Sequence, residues 1–180
     1  LRYEWFDKVM LARKKANKHT YLITAHHADD QVETIAMNFF RGTGIAGLHG
    51  MQLKAGNLIR PLLFARKAEI LDFAESNAIA WVDDSSNDAD NYSRNHFRHN
   101  IIPQVEKIFP SVAQNLLDNA KRFSEMEIIY KKQIEKIKDG LIEKQGQSMA
   151  IAVNKLISMS PIDTIMFEVF RDFGFSAHQV

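Results

Sequence analysis

His26, Asp30 and Glu33 sit close together in the run Ala25-His26-His27-Ala28-Asp29-Asp30-Gln31-Val32-Glu33-Thr34. On a helix Asp30 and Glu33 are i and i+3, so they share one face, turned away from Val32, Ile35 and Phe39. Two carboxylates one turn apart beside an imidazole could hold Mg²⁺, which takes carboxylate oxygens and leaves its other positions to water and phosphate. They could equally orient a nucleophile. A bland reading stands beside these: Asp29 and Asp30 in a first turn complement the helix dipole, and the stretch is then a capped helix with a solvated acidic start. A transition-metal site on His26, His27, Asp30 and Glu33 has competent ligands. However, adjacent histidines on a strand face opposite sides, and no second distant ligand group accompanies them. Arg94 and Arg98 are i and i+4, so both guanidinium forks can point one way, as phosphate or carboxylate recognition requires. Their bland partners are the nearby Asp83, Asp84, Asp88 and Asp90.

These residues need elements to position them. Trp5 to Lys15 has helical spacing, and Tyr21-Leu22-Ile23-Thr24-Ala25 reads as a short buried strand that delivers His26 to a sheet rim. In open α/β sheets that carboxyl rim is where ligands bind. Val32, Ile35, Ala36 and Phe39 then form one helix face, ended by Gly42. Helix, strand and helix in this order are the unit of a parallel α/β sheet. The glycine-rich stretch Arg41 to Gly50 follows a helix and not a strand, so it is no dinucleotide fingerprint. It is either a helix C-cap and turn or a flexible loop near the site.

Farther on, Leu58 to Leu63 is an apolar run broken by Pro61. Arg66 to Glu75 should be a helix with Ile70, Phe73 and Ala74 inward, Ala80-Trp81-Val82 a short strand, and Asp83 to Asn91 a polar loop. Ser111, after Pro110, is a candidate N-cap. Apolar residues from Val112 to Leu141 then step by three or four, which predicts a helix of about 30 residues, roughly 45 Å long. Its lysines interleave with acids, which favours a solvated helix that packs or pairs over a nucleic-acid stripe. Met149 to Val153 reads as a strand, and Ser160-Pro161 opens a last helix closed by Gly174. The expected fold is α/β: an incomplete Rossmann-like parallel sheet with flanking helices over residues 1–110, followed by a mostly helical connector over 111–180.

The run from Ala25 to Thr34 resembles the A-H-H-x-D-D-Q-x-E-T signature of tRNA(Ile)-lysidine synthetases, which are N-type ATP pyrophosphatases. Further segments resemble that family's motifs in order: Arg41-Gly42-Thr43-Gly44 with Gly47-Leu48, Ile59-Arg60-Pro61-Leu62-Leu63, Asp84-Ser85-Ser86-Asn87, and Arg94-Asn95-His96-Phe97-Arg98 with Pro103. The likeness runs from Tyr3 to Pro110 and fades beyond. It implies adenylation of C2 of the wobble cytidine in an isoleucine tRNA with a CAU anticodon. Free L-lysine then displaces AMP, with ATP and Mg²⁺ as cofactors. By the same resemblance His26, Asp30 and Glu33 are the catalytic residues. Asp30 and Glu33 would meet the metal or the lysine ammonium, and His26 would activate or position. The motif arginines Arg41, Arg60, Arg94 and Arg98 would bind lysine or tRNA.

The family's S-G-G-x-D-S phosphate loop has no counterpart here, although backbone N–H groups at a helix start are what cradle phosphate. Leu1-Arg2-Tyr3 resembles a family segment that lies after that loop. The expectation is therefore a fragment, inactive alone as a ligase, whose apolar sheet edges would invite aggregation or homodimer pairing. The rival readings are another tRNA-modifying ATP pyrophosphatase, a metal hydrolase, and a non-catalytic tRNA-docking or dimerisation module.

Composition narrows the field. The chain has 180 residues, 46% apolar and 25% charged, with a net charge of +1, which is the balance of a globular domain. No apolar run reaches the roughly 18 residues of a membrane helix, and no signal peptide opens the chain. With no cysteine, disulfides, thiol catalysis and Cys-ligated metals are excluded within these residues, which fits a cytoplasmic protein.

Overall fold

A computed structural model describes residues 2–15, 20–82, 92–146, 148–176 and 178–180. The polar loop expected at Asp83–Asn91, including Asp83, Asp84, Asp88 and Asp90, lies outside the described residues. Two compact units form, Leu1–Ser124 and Glu125–Val180. They divide inside the long helix, whereas the change in sequence character comes at Pro110.

The first unit begins with helix α1 (Arg2–Lys15), strand β1 (Leu22–Ile23) and helix α2 (Ala28–Arg41). Next come the single turn α3 (Ile45–Leu48), strands β2 (Lys54–Ala55) and β3 (Leu58–Ile59), and helix α4 (Lys67–Ser76). Helix α5 (Tyr92–His96) runs through a π-helical turn at Phe97–Ile101 into α6 (Ile102–Ile108). The sheet order is β1-β3-β2. β1 pairs with β3 in parallel, Leu22 opposite Leu58 and Ile23 opposite Ile59, while β2 is antiparallel to β3. The unit is mixed α/β, with one parallel and one antiparallel strand pair among the described residues.

The expected buried strand Tyr21–Ala25 is shorter and more open than its composition suggests. Ile23 and Tyr21 are exposed, because β1 has a paired neighbour on one edge only. Thr24 extends the pairing, its N–H donating to the Ile59 carbonyl at 3.0 Å. Ala80, Trp81 and Val82 form no strand and are exposed, and Phe39 and Phe73, expected inward, are exposed as well. At Phe39 helical spacing held, but the residue stands in the last turn of α2, stacked edge-to-face on Phe40 at 5.6 Å.

Helix α7 (Val112–Leu141) runs for 30 residues, the length its apolar period predicts. Its first turns belong to the first unit and the rest to the second. After it the second unit carries a hairpin of β4 (Ile142–Gln145) and β5 (Ser148–Ile151), then α8 (Val153–Ile157) and α9 (Ile162–Arg171). β4 was not expected: Ile142 is a single apolar residue directly after the helix, and the three residues after it, Glu143, Lys144 and Gln145, are polar. Gly146, at φ 65°, begins the reversal that makes it a hairpin. Leu141, Leu156, Ile165 and Val169 are the core of this unit, with Ile137, Ile151, Met159 and Phe170 packed around them.

Candidate functional site

The site is assembled at the N-terminus of α2. His27 is its N-cap. Its backbone N–H donates to Asp30 Oδ2 at 2.9 Å, and its ring Nδ1 accepts, at 3.4 Å, from the Asp30 N–H. This reciprocal pair satisfies two donors that a helix start leaves open. The capped-helix reading is therefore correct for Asp30 Oδ2, and it leaves the rest of that carboxylate available. The Ala28 N–H donates to the Ala65 carbonyl at 2.8 Å. Asp29 accepts from Arg66 Nε at 2.6 Å and from the Lys67 backbone N–H at 2.7 Å, so the starts of α2 and α4 are tied together.

Asp30 and Glu33 do share a face, but it is not a solvated one. The Glu33 side chain is 2% exposed and that of Asp30 12%. What covers them is Arg94 from α5 and Arg98 from the π-helical turn. Arg94 Nε donates to Glu33 Oε2 at 2.7 Å and its terminal nitrogen to Asp30 Oδ1 at 3.0 Å. Arg98 Nε donates to Glu33 Oε1 at 2.6 Å, and its terminal nitrogen to Glu33 Oε2 and Asp30 Oδ1, both at 3.1 Å. The i and i+4 spacing of the arginines does aim both forks one way, at these two acids. The pairing also raises the pKa of Arg98, first through its hydrogen bond to Glu33. Two carboxylates against two guanidiniums leave the cluster formally neutral.

That arrangement does not suit the metal role expected of Asp30 and Glu33. All four of their carboxylate oxygens already accept from the chain, and the surrounding charge is cancelled. Mg²⁺ needs carboxylates with uncompensated charge. Among the described residues no group of three or more His, Asp or Glu side chains is arranged to hold a metal ion, so the metal-hydrolase reading has no ligand set there.

His26 stands beside the cluster. Its Nδ1 is 2.8 Å from the Thr24 hydroxyl. Its pKa is lowered, first by burial; Arg60, Arg94 and His27 lower it further and Asp30 opposes them. Arg60 is near enough to act on His26 and is anchored by its own Nη1 bond to the Gln52 carbonyl at 2.8 Å, while its buried Nε has no partner in the structure. Arg41 is not brought to the site. It lies exposed in the last turn of α2, about 16 Å along the helix from Asp30 at 1.5 Å per residue.

Gln31 is a site-shaping residue that sequence reasoning missed. Its amide donates to the carbonyls of His49 and Met51 at 2.9 and 3.0 Å and accepts from the Met51 N–H at 2.6 Å. Asn38 adds a bond to the Gly47 carbonyl at 2.9 Å. Gly50, at φ 65°, has no room for a Cβ, which would lie 2.7 Å from Gln31 Oε1. The glycine-rich stretch is thus held against α2, which favours the cap-and-turn reading over a loose flap. The amide signal lay inside the Asp-Asp-Gln-Val-Glu run and could have been read as a cross-link only with Gly50 in view. A cavity of about 440 Å³ lined by Phe6, Met10, Leu22, Asn57 and Leu58 lies at the opposite, amino ends of β1 and β3.

Residues 1–105 match the PP-loop domain family. Over 180 residues the chain is 34% identical to a tRNA(Ile)-lysidine synthase of Bacteroides thetaiotaomicron, covering all of this chain and 40% of that protein. A tRNA(Ile)-lysidine synthase of Chlorobaculum tepidum is 39% identical over 69% of this chain and 36% of its own length. A bifunctional TilS/HprT protein of Listeria monocytogenes is 43% identical over 69% of this chain and 19% of its own length. The chain therefore spans less than half the length of these relatives. On the match over residues 1–105, the chain belongs to the PP-loop domain family.

Proposed function

We propose that this chain forms part of a tRNA(Ile)-lysidine synthase, contributing the pocket in which lysine meets an activated cytidine. The observation that carries the reading is the cluster of Asp30, Glu33, Arg94 and Arg98 beside His26, at the carboxyl end of the parallel pair β1–β3. The reading is supported by relatives named tRNA(Ile)-lysidine synthase that match the chain over its whole length.

In the proposed reaction the C2 oxygen of the wobble cytidine attacks the α-phosphorus of ATP and pyrophosphate leaves. The ε-amine of lysine then attacks C2, AMP leaves with the oxygen, and the amine gives up its proton. Asp30 and Glu33 suit the lysine end of this step. A lysine ammonium can take the place of a guanidinium on Asp30 Oδ1, and the displaced Arg98, whose side chain is 35% exposed, is then free for the lysine carboxylate. Arg94 keeps Glu33 compensated during the exchange. Arg60, with its unsatisfied buried Nε, suits an anionic oxygen of the nucleotide. Arg41 suits tRNA backbone contact away from the chemistry. Mg²⁺ accompanying ATP would be held by groups other than Asp30 and Glu33.

The test is pyrophosphate release by the full-length product of the gene that encodes these residues. Release should require both lysine and an isoleucine tRNA with a CAU anticodon, and Arg98→Ala should raise the KM for lysine more than that for ATP. Release that ignores lysine would overturn the reading.

A further inference from the structure

We propose that Thr24 is a positioning residue that fixes His26 as the Nε2–H tautomer, so that the imidazole presents a hydrogen-bond donor, not a base, to the site. Thr24 directly follows β1 and is held by its N–H bond to the Ile59 carbonyl at 3.0 Å. Its β-branched side chain has few rotamers to choose from. His26 lies two residues on, and the Thr24 hydroxyl meets its Nδ1 at 2.8 Å.

A neutral imidazole has one N–H and one acceptor nitrogen, so the proton's place must be decided by its partners. The ring is held toward its neutral form by burial and by Arg60 and Arg94. Among the described residues the Thr24 hydroxyl has His26 as its one hydrogen-bond partner. Were Nδ1–H to donate, the hydroxyl proton would be left without an acceptor in a half-buried place, which carries a desolvation cost. With the hydroxyl donating, both atoms of the contact are satisfied, and the ring proton sits on Nε2, which is not one of the buried atoms left without a partner and so is open to water or a ligand. Nε2 has no partner among the described residues.

A neutral N–H donor beside a charge-compensated cluster is suited to an oxygen that gains negative charge, and it costs no proton transfer. It cannot take a proton at Nε2. This separates the two roles that the sequence left open for His26 and keeps positioning. What the donor meets, an oxygen of the nucleotide being activated, rests on the ligase reading above; the tautomer does not.

The test is a long-range ¹H–¹⁵N correlation spectrum of the histidine-labelled chain above neutral pH, with His26→Asn to identify the signal. The wild-type ring should show a protonated Nε2 and an unprotonated, hydrogen-bond-shifted Nδ1. Thr24→Val should lose that shift and average the two tautomers, and Thr24→Ser should restore it. A ring protonated at Nδ1 in the wild type, or nitrogen shifts unchanged by Thr24→Val, would overturn the proposal. The wild-type spectrum decides the tautomer even if the valine variant does not fold. These spectra need no ATP, lysine or tRNA, so their outcome is independent of whether the ligase reading holds.

Discussion

Both units bury charged side chains, and they differ in what those charges meet. The second buries Leu141, Leu156, Ile165 and Val169 against one another, and holds the buried Glu127, Lys138 and Glu168 against partners that are themselves exposed, Lys131, Asp172 and Arg171. The first buries mostly small apolar residues, Ala28, Ala65, Ala113 and Ala120 with Val32 and Ile35, and beside them the charged Asp30 and Glu33. Burial of apolar surface stabilises in proportion to area. Burial of ions costs desolvation that their attraction offsets only when geometry and hydrogen bonding are complete. In the first unit they are nearly complete, with three bonds to Glu33 and guanidinium donors to Asp30 from two segments. A buried ion cluster of that kind is weak evidence of a stability device and better evidence of a working site, whereas the second unit's buried charges pair with exposed side chains.

That contrast is broken most directly at Leu141. Its side chain is 1% exposed in the second unit's core, and Leu141→Ala should cost about 4 kcal/mol by lost burial and residual cavity. Urea unfolding should show it, while the ¹⁵N signature of His26 in the folded chain stays as in the wild type. Glu33→Ala should cost about 3 kcal/mol, at the lower end for breaking a buried pair, because Arg94 and Arg98 can turn partly to water. Its functional effect should be the larger of the two: lysine-dependent pyrophosphate release by the full-length enzyme should fall below detection. If Leu141→Ala abolished release and Glu33→Ala spared it, the division of labour between the units would be wrong.

Some of this was legible in residue order alone. Helix α7 followed from an apolar step sustained over its whole length, the strongest kind of periodic signal. The shared face of Asp30 and Glu33, and the common aim of Arg94 and Arg98, followed from helical spacing. That the two pairs meet was not legible, because the partners are 61 to 68 residues apart and local spacing carries no information on that scale. Read alone, the acids suit a metal or a lysine ammonium and the arginines an anion; in the structure each pair is also the other's counter-charge. Phe39 and Phe73 misled because apolar periodicity marks a face and does not say that anything covers it. Strand β4 was not legible because three of its four residues, Glu143, Lys144 and Gln145, are polar.

The pH response sharpens the contrast further. His26 has a lowered pKa in the folded chain, first through burial, so protonation favours the unfolded chain. Its contribution is therefore present above the ordinary histidine pKa of about 6.5 and is lost as pH falls from there toward the lowered folded value. His26→Asn should flatten the decline of stability on that acid limb, an effect smaller than either substitution above because the ring is only half-buried. Loss of the same slope on replacing His178, which stands exposed in the second unit, would show that the limb has another origin.

The smallest effect is expected where the second unit does carry an ion pair. Lys138 is buried on α7 and donates to Asp172 Oδ2, just past α9. In name this is the same interaction as Arg94 with Glu33, yet its setting differs. The Asp172 side chain is 55% exposed, and Lys138 has a second carboxylate, Glu135 Oε1, at 3.5 Å. The hydrogen bond from Lys138 lowers the pKa of Asp172. Its stabilisation is thus present above the ordinary aspartate pKa and lost as pH falls through the lowered folded value. At neutral pH an exposed carboxylate whose lysine has a substitute partner is worth little, so Asp172→Asn should cost about 0.5 kcal/mol or less in urea unfolding. A loss near that of Glu33→Ala would mean that the second unit, too, depends on a charge it has buried.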